Sequence, residues 1–186
     1  MLVAVVLVGL LAVASVTDVA WHKIYNWTTY PGILAAWCLN AVGSILLAAG
    51  VVDHQTLARL GWIGLAESLF GFLVGGFVLL VCYVFFKVGG GDVKLMAMIG
   101  AWLGPQQGIE AVLWTFVLGG CLALIVLIWR VGPFRLLVRS LRQLLWTLRL
   151  GRWAPLTPEE RAQLQPPLFL APNALLAALI VQFSLV

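Results

Sequence analysis

Long apolar runs dominate this 186-residue chain, at about residues 1–17, 30–52, 60–86, 109–129 and 168–186, and most approach or exceed the ~20 residues that a helix needs to cross a bilayer. A shorter run from Val93 to Leu103 makes a sixth. Inside hydrocarbon every backbone N–H and C=O must be bonded within the protein, so a spanning segment is a helix or part of a closed barrel. The runs are continuously apolar and lack the period-2 alternation of a membrane barrel. The chain is therefore expected to be all-α, a polytopic membrane protein of about six transmembrane helices, with one domain over residues 1–186. Composition agrees, since 63% of the residues are hydrophobic and 10% charged, against about 45–50% and about 25% in soluble domains. A cleaved signal peptide is a poor reading of "MLVAVVLVGLL", because the first base, Lys23, follows the run instead of preceding it. Cys38, Cys82 and Cys121 lie within apolar runs with no C-x-x-C pair, so neither a disulfide framework nor a zinc site is expected.

Charge placement predicts the orientation. Lys23 falls in the first turn between runs, Lys87 and Lys94 flank the third, and Arg130, Arg135, Arg139, Arg142, Arg149, Arg152 and Arg161 fill the fifth; only Arg59 lies in an even-numbered turn. Lys and Arg are retained on the cytoplasmic side, so turns one, three and five are expected there and both termini outside. Orientation accounts for the net charge of +4 without a nucleic-acid partner. Residues 130–167 form a basic cytoplasmic loop between the fifth and sixth spans. From Phe134 to Leu150, steps of about 100° put Arg135, Arg139, Arg142 and Arg149 on one face and Leu137, Leu141, Leu144, Leu145 and Leu148 on the other. That pattern predicts an interfacial amphipathic helix with its arginines towards anionic lipid headgroups. "TPEE" at Thr157–Glu160 reads as a capping box opening a further turn or two.

With that topology, Asp18 ends the first span and Asp92 begins the fourth at the same membrane boundary. Two close carboxylates are the minimal equipment of aspartic-type hydrolysis. They share one proton, so one can deprotonate water while the other donates to the substrate carbonyl. The bland alternative is that each is a polar helix end at headgroup level. Gly89, Gly90 and Gly91 favour the functional reading, because three residues without side chains let another backbone approach Asp92 closely. A phosphate-binding loop does not fit, since "GGGDVK" puts an acid where the anion would bind and lacks the G-x-x-x-x-G-K-[ST] spacing.

"GGGDVKLMAMIGAWLG" resembles the G-x-G-D-x-K-L signature of the type IV prepilin peptidases, and "SVTDVAWHKIYNW" resembles their first-aspartate motif, an Asp six residues before an Ile-Pro-Asn-like turn in which Tyr25 takes the place of Pro. The likeness covers about residues 8–129. It implies that Asp18 and Asp92 are the catalytic pair, Gly89 and Gly91 the motif glycines and Lys94 the motif lysine. It further implies a bacterial inner-membrane enzyme that cuts the short basic leader of pilin-like precursors on the cytoplasmic face, just ahead of their hydrophobic helix, with no metal and no organic cofactor. The expected partners are prepilin or pseudopilin precursors and membrane lipids. The chain resembles the short peptidase-only branch associated with Flp or Tad-type pili, without the cysteine-motif domain linked to N-methylation.

Other readings stay open on the residues alone. The motif G-x-G-D is shared with presenilin-like intramembrane proteases, although Thr17 stands before Asp18 and "LAPNAL" is only a distant echo of their Pro-Ala-Leu element. A non-enzymatic subunit of a pilus or secretion assembly would use the basic fifth turn but not the glycine strip. A transporter would carry its charges nearer the bilayer midplane. Glu67 lies about 19 residues from the cytoplasmic end of its run, or ~28 Å at helical rise, too far to join the aspartates. Gly71, Gly75, Gly100 and Gly104 are spaced for helix packing, and His22 and Lys23 for headgroup contact.

Overall fold

The computed structural model describes residues 2–86, 89–132, 134, 138, 141, 142, 145 and 169–183. They form α1 (Leu2–Trp21), α2 (Asn26–Ala48), α3 (His54–Leu60), α4 (Leu65–Phe86), α5 (Gly90–Val131) and α6 (Leu170–Gln182), with no strand among the described residues. The protein is all-α and polytopic. Four stretches are long and apolar enough to cross a membrane, Val3–Trp21, Asn26–Ala48, His54–Phe85 and Gly90–Arg130, whereas α6 is apolar over 13 residues. The expected count of six differs because the single stretch Gly90–Arg130 holds two of the expected runs and α6 is shorter than a spanning helix, although α5 is itself broken. Gly104 adopts φ 81° and ψ 179°, a region essentially restricted to glycine, and Pro105 follows at the start of the next segment, where its missing N–H costs nothing. The runs 93–103 and 109–129 thus fall on two helical segments on either side of this break.

Residues 1–117 and 169–186 make one compact unit and 118–168 another. In the first unit, α1 packs on α6 and α2, and α2 on α4. Its core is the first segment of α5, where Leu95, Met96, Met98, Ile99, Ala101 and Trp102 are buried together with Leu7, Leu11 and Ala14 of α1, Ile33 and Ala36 of α2, Leu79 of α4 and Ala171, Ala174 and Ala178 of α6. Outward faces carry large apolar side chains such as Val5, Leu34 and Phe77, as lipid contact requires.

Because lipid tails are as apolar as leucine, such helices associate through close backbone packing and hydrogen bonds. Both devices are present. Gly71 of α4 and Gly100 of α5 face each other so closely that a Cβ on either would collide with the carbonyl oxygen of the other. Ser68 Oγ donates to the Ala101 carbonyl at 2.6 Å, and the Trp102 indole N–H donates to the Gly32 carbonyl at 3.0 Å. Asn40, buried in the apolar α2, accepts the backbone N–H groups of Ile63 and Gly64 at 3.1 and 3.2 Å. Those donors precede α4, so Asn40 anchors the connection between α3 and α4.

In the second unit, α5 continues to Val131 and the described residues Phe134, Val138, Leu141, Arg142 and Leu145 are helical. The rest of the expected interfacial helix, and the capping box at Thr157–Glu160, lie outside the described residues.

Candidate active site

Asp18 belongs to the last turn of α1 and is buried. The helix stops one turn later because His22 turns left-handed, with φ 53°, and its backbone N–H bonds to the Asp18 carbonyl at 2.8 Å. The His22 ring packs on Phe169, with centroids 4.9 Å apart, so its contact is with the residue that opens α6. From α6 itself, the backbone N–H of Ala171 donates to Asp18 Oδ2 at 3.1 Å. First-turn N–H groups have no partner within their own helix, and a carboxylate there is favoured by the helix dipole. Asp18 therefore caps a helix distant in sequence.

Asp92 is the third residue of α5. Its N–H donates to the Gly89 carbonyl at 3.1 Å, the turn that opens the helix. A Cβ on Gly89 would lie 3.0 Å from Asp92 Oδ2, which is why the position has no side chain to spare. Gly91 serves another contact, since a Cβ there would lie 3.1 Å from Ile24 Cβ and 3.5 Å from the Ile24 carbonyl oxygen. Gly90 is exposed, and among the described residues a Cβ there would meet the Tyr83 ring edge at 4.0 Å.

Lys94 completes the arrangement. Its ammonium donates to Asn26 Oδ1 at 2.8 Å and stands 4.9 Å from the centre of the Tyr30 ring, a cation–π distance. Gly91 and Lys94 are three positions apart and share a helix face. They grip the α1–α2 turn at two points, Ile24 and Asn26. The two sequence motifs thus interlock at one end of the bundle, with Asp18 in the last turn of α1 and Asp92 in the first turn of α5 at that end.

Glu67 is exposed in the first turn of α4, the end opposite the one leading to Gly89. Among the described residues, no group of three or more His, Cys, Asp or Glu could hold a metal ion. Sequence reasoning did not single out Ile24, Asn26, Phe169 or Ala171 for the site. The first two were visible only as part of a motif, and "LAPNAL" only as an echo.

The type IV leader peptidase family model matches residues 5–124. Prepilin leader peptidase/N-methyltransferases are similar to this chain. The protein from Stutzerimonas stutzeri is 33% identical over 132 residues, covering 59% of this chain and 44% of that protein. Its counterpart from Pseudomonas aeruginosa is 32% identical over the same length and shares, and that from Aeromonas hydrophila is 29% identical over 174 residues, 79% of this chain and 60% of that protein. The chain spans about half the length of the curated relatives it matches. No solved structure matches. With its two motifs joined at one end of an apolar helical bundle and most of its length within the family model, the chain belongs to the type IV leader peptidase family.

Proposed function

We propose that this protein is a membrane aspartic endopeptidase that removes the leader of type IV prepilin-like precursors at the cytoplasmic face of the bacterial inner membrane, with Asp18 and Asp92 as its catalytic pair. The observation that carries the reading is the double grip of Gly91 on Ile24 and Lys94 on Asn26, which brings the two aspartates to one end of the bundle in a chain of this family. The distribution of Lys and Arg supports the cytoplasmic assignment of that end.

In the mechanism, the ionised carboxylate takes a proton from water as its oxygen attacks the scissile carbonyl carbon, while the protonated carboxyl donates to the carbonyl oxygen. The tetrahedral intermediate collapses as one of its hydroxyls returns a proton to the second carboxylate, the C–N bond breaks, and the leaving amine takes the proton that the first carboxylate received from water. Neither carboxylate suffices alone. The exposed backbone at Gly90 offers an extended leader a surface without side chains.

The test uses the purified full chain and a precursor carrying a basic leader ahead of an apolar helix, with the cut mapped by mass spectrometry. Cleavage at one bond is expected, and Asp18→Asn and Asp92→Asn should each slow it by about 10²–10⁴-fold while the protein still inserts. Wild-type rates in either variant would return both aspartates to the role of polar helix ends.

A further inference from the structure

A groove of about 580 Å³ opens on the outer side of α2, α4 and the start of α5. Its mouth is formed by Val93 and Lys94, the residues directly after Asp92, with Tyr30 opposite. From there it follows α2 from Tyr30 to Trp37, a rise of ~10 Å. The Trp37 and Phe72 rings meet edge to face at its far end, 5.1 Å apart. Gly76 and Ala97 lie along its floor, and its exposed rim includes Leu34, Leu73 and Phe77.

Resting on the peptidase reading, we propose that this groove seats the apolar helix of the precursor polypeptide, so that the bond to be cut is presented at Asp92. Continuity carries the assignment. A chain whose scissile bond lies at Asp92 and whose next residues enter the membrane meets Val93 and Lys94 first and then the apolar walls. Below Lys94, whose ammonium is turned to Asn26 Oδ1 and the Tyr30 ring, the lining is apolar or glycine and offers a helix apolar contact. Gly76 packs against the buried Ala97, so the close α4–α5 contact forms the floor of the groove between its apolar walls. Substrate choice then rests on two contacts, the leader at the aspartates and the helix in the groove.

The test compares two substrates of the full chain in proteoliposomes, a precursor with its apolar helix and a soluble peptide that spans the cut but lacks the helix. Leu34→Trp and Leu73→Trp fill the groove from its exposed rim and should lower the ratio of kcat/KM for precursor over peptide by about tenfold, through KM. In parallel, a photoreactive benzoylphenylalanine replacing Leu34 should crosslink to the precursor, and one replacing Val42, exposed on α2 outside the groove lining, should not. An unchanged ratio overturns the groove while leaving the peptidase reading intact. Adducts with lipid only, or equal adducts from both positions, overturn it as well. Equal losses on both substrates reflect damage to the fold, and the crosslink then decides. A wild-type protein that cuts neither substrate overturns the peptidase reading and the groove with it.

Discussion

The backbone N–H of Ala171 donates to the carboxylate of Asp18 across 3.1 Å, joining residues 153 positions apart. Proline at position 171 would delete that one donor, a first-turn N–H with no intrahelical partner, and the melts report what its ring costs at this buried position. Ala171→Pro is expected to slow precursor cleavage about tenfold or more, the scale of a hydrogen bond to a charged group. Ala171→Gly keeps the N–H and should keep most of the rate. Initial rates and thermal melts of the two variants in one detergent check this.

The Lys94–Asn26 bond predicts coupled effects. Lys94→Met and Asn26→Ala should each lower kcat about tenfold by loosening the α1–α2 turn from α5. The double variant should be little worse than the poorer single one, since both remove the same contact. A double-mutant cycle on kcat measures the coupling, and simple addition of the two losses would separate these residues.

The neighbouring glycines should respond unequally. Gly91 already touches Ile24, so Gly91→Val must push the turn carrying Ile24 away and weaken the meeting of the aspartates. Among the described residues beyond its chain neighbours, a Cβ on Gly90 would meet the Tyr83 ring edge at 4.0 Å and nothing closer. Gly91→Val is expected to reduce cleavage far more than Gly90→Ala when both are assayed at equal amounts of inserted protein.

At the α4–α5 crossing the expected effect is on stability. Gly100→Val places side-chain atoms where the Gly71 carbonyl stands and should destabilise the fold by about 3 kcal/mol or more. Gly120→Ala meets nothing within 4 Å among the described residues and should leave the thermal unfolding midpoint close to that of the parent. Thermal unfolding of both in one detergent tests the contrast.

Orientation is testable without purification. A reporter active only in the cytoplasm should work when fused after Gly151 and fail when fused after Gln107. The opposite pattern would contradict both the charge count and the side assigned to Asp18 and Asp92.

The sequence by itself determined the all-α membrane class, because long apolar runs in lipid leave the backbone no partner but its own helix. It also marked Asp18, the glycines, Asp92 and Lys94, since ionisable groups and glycine triplets are conspicuous against such a background. It could not show why those residues belong together. Gly91 meets Ile24 and Lys94 meets Asn26 across 67 and 68 positions, and pairings of that range are set by how helices cross. The break at Gly104, the clasp of Asn40 on the α3–α4 connection and the cap of α6 on Asp18 were likewise decided only in three dimensions. Hydrophobicity fixes which segments enter the membrane but is nearly indifferent to which faces meet there. Close glycine contacts and a few hydrogen bonds make that choice.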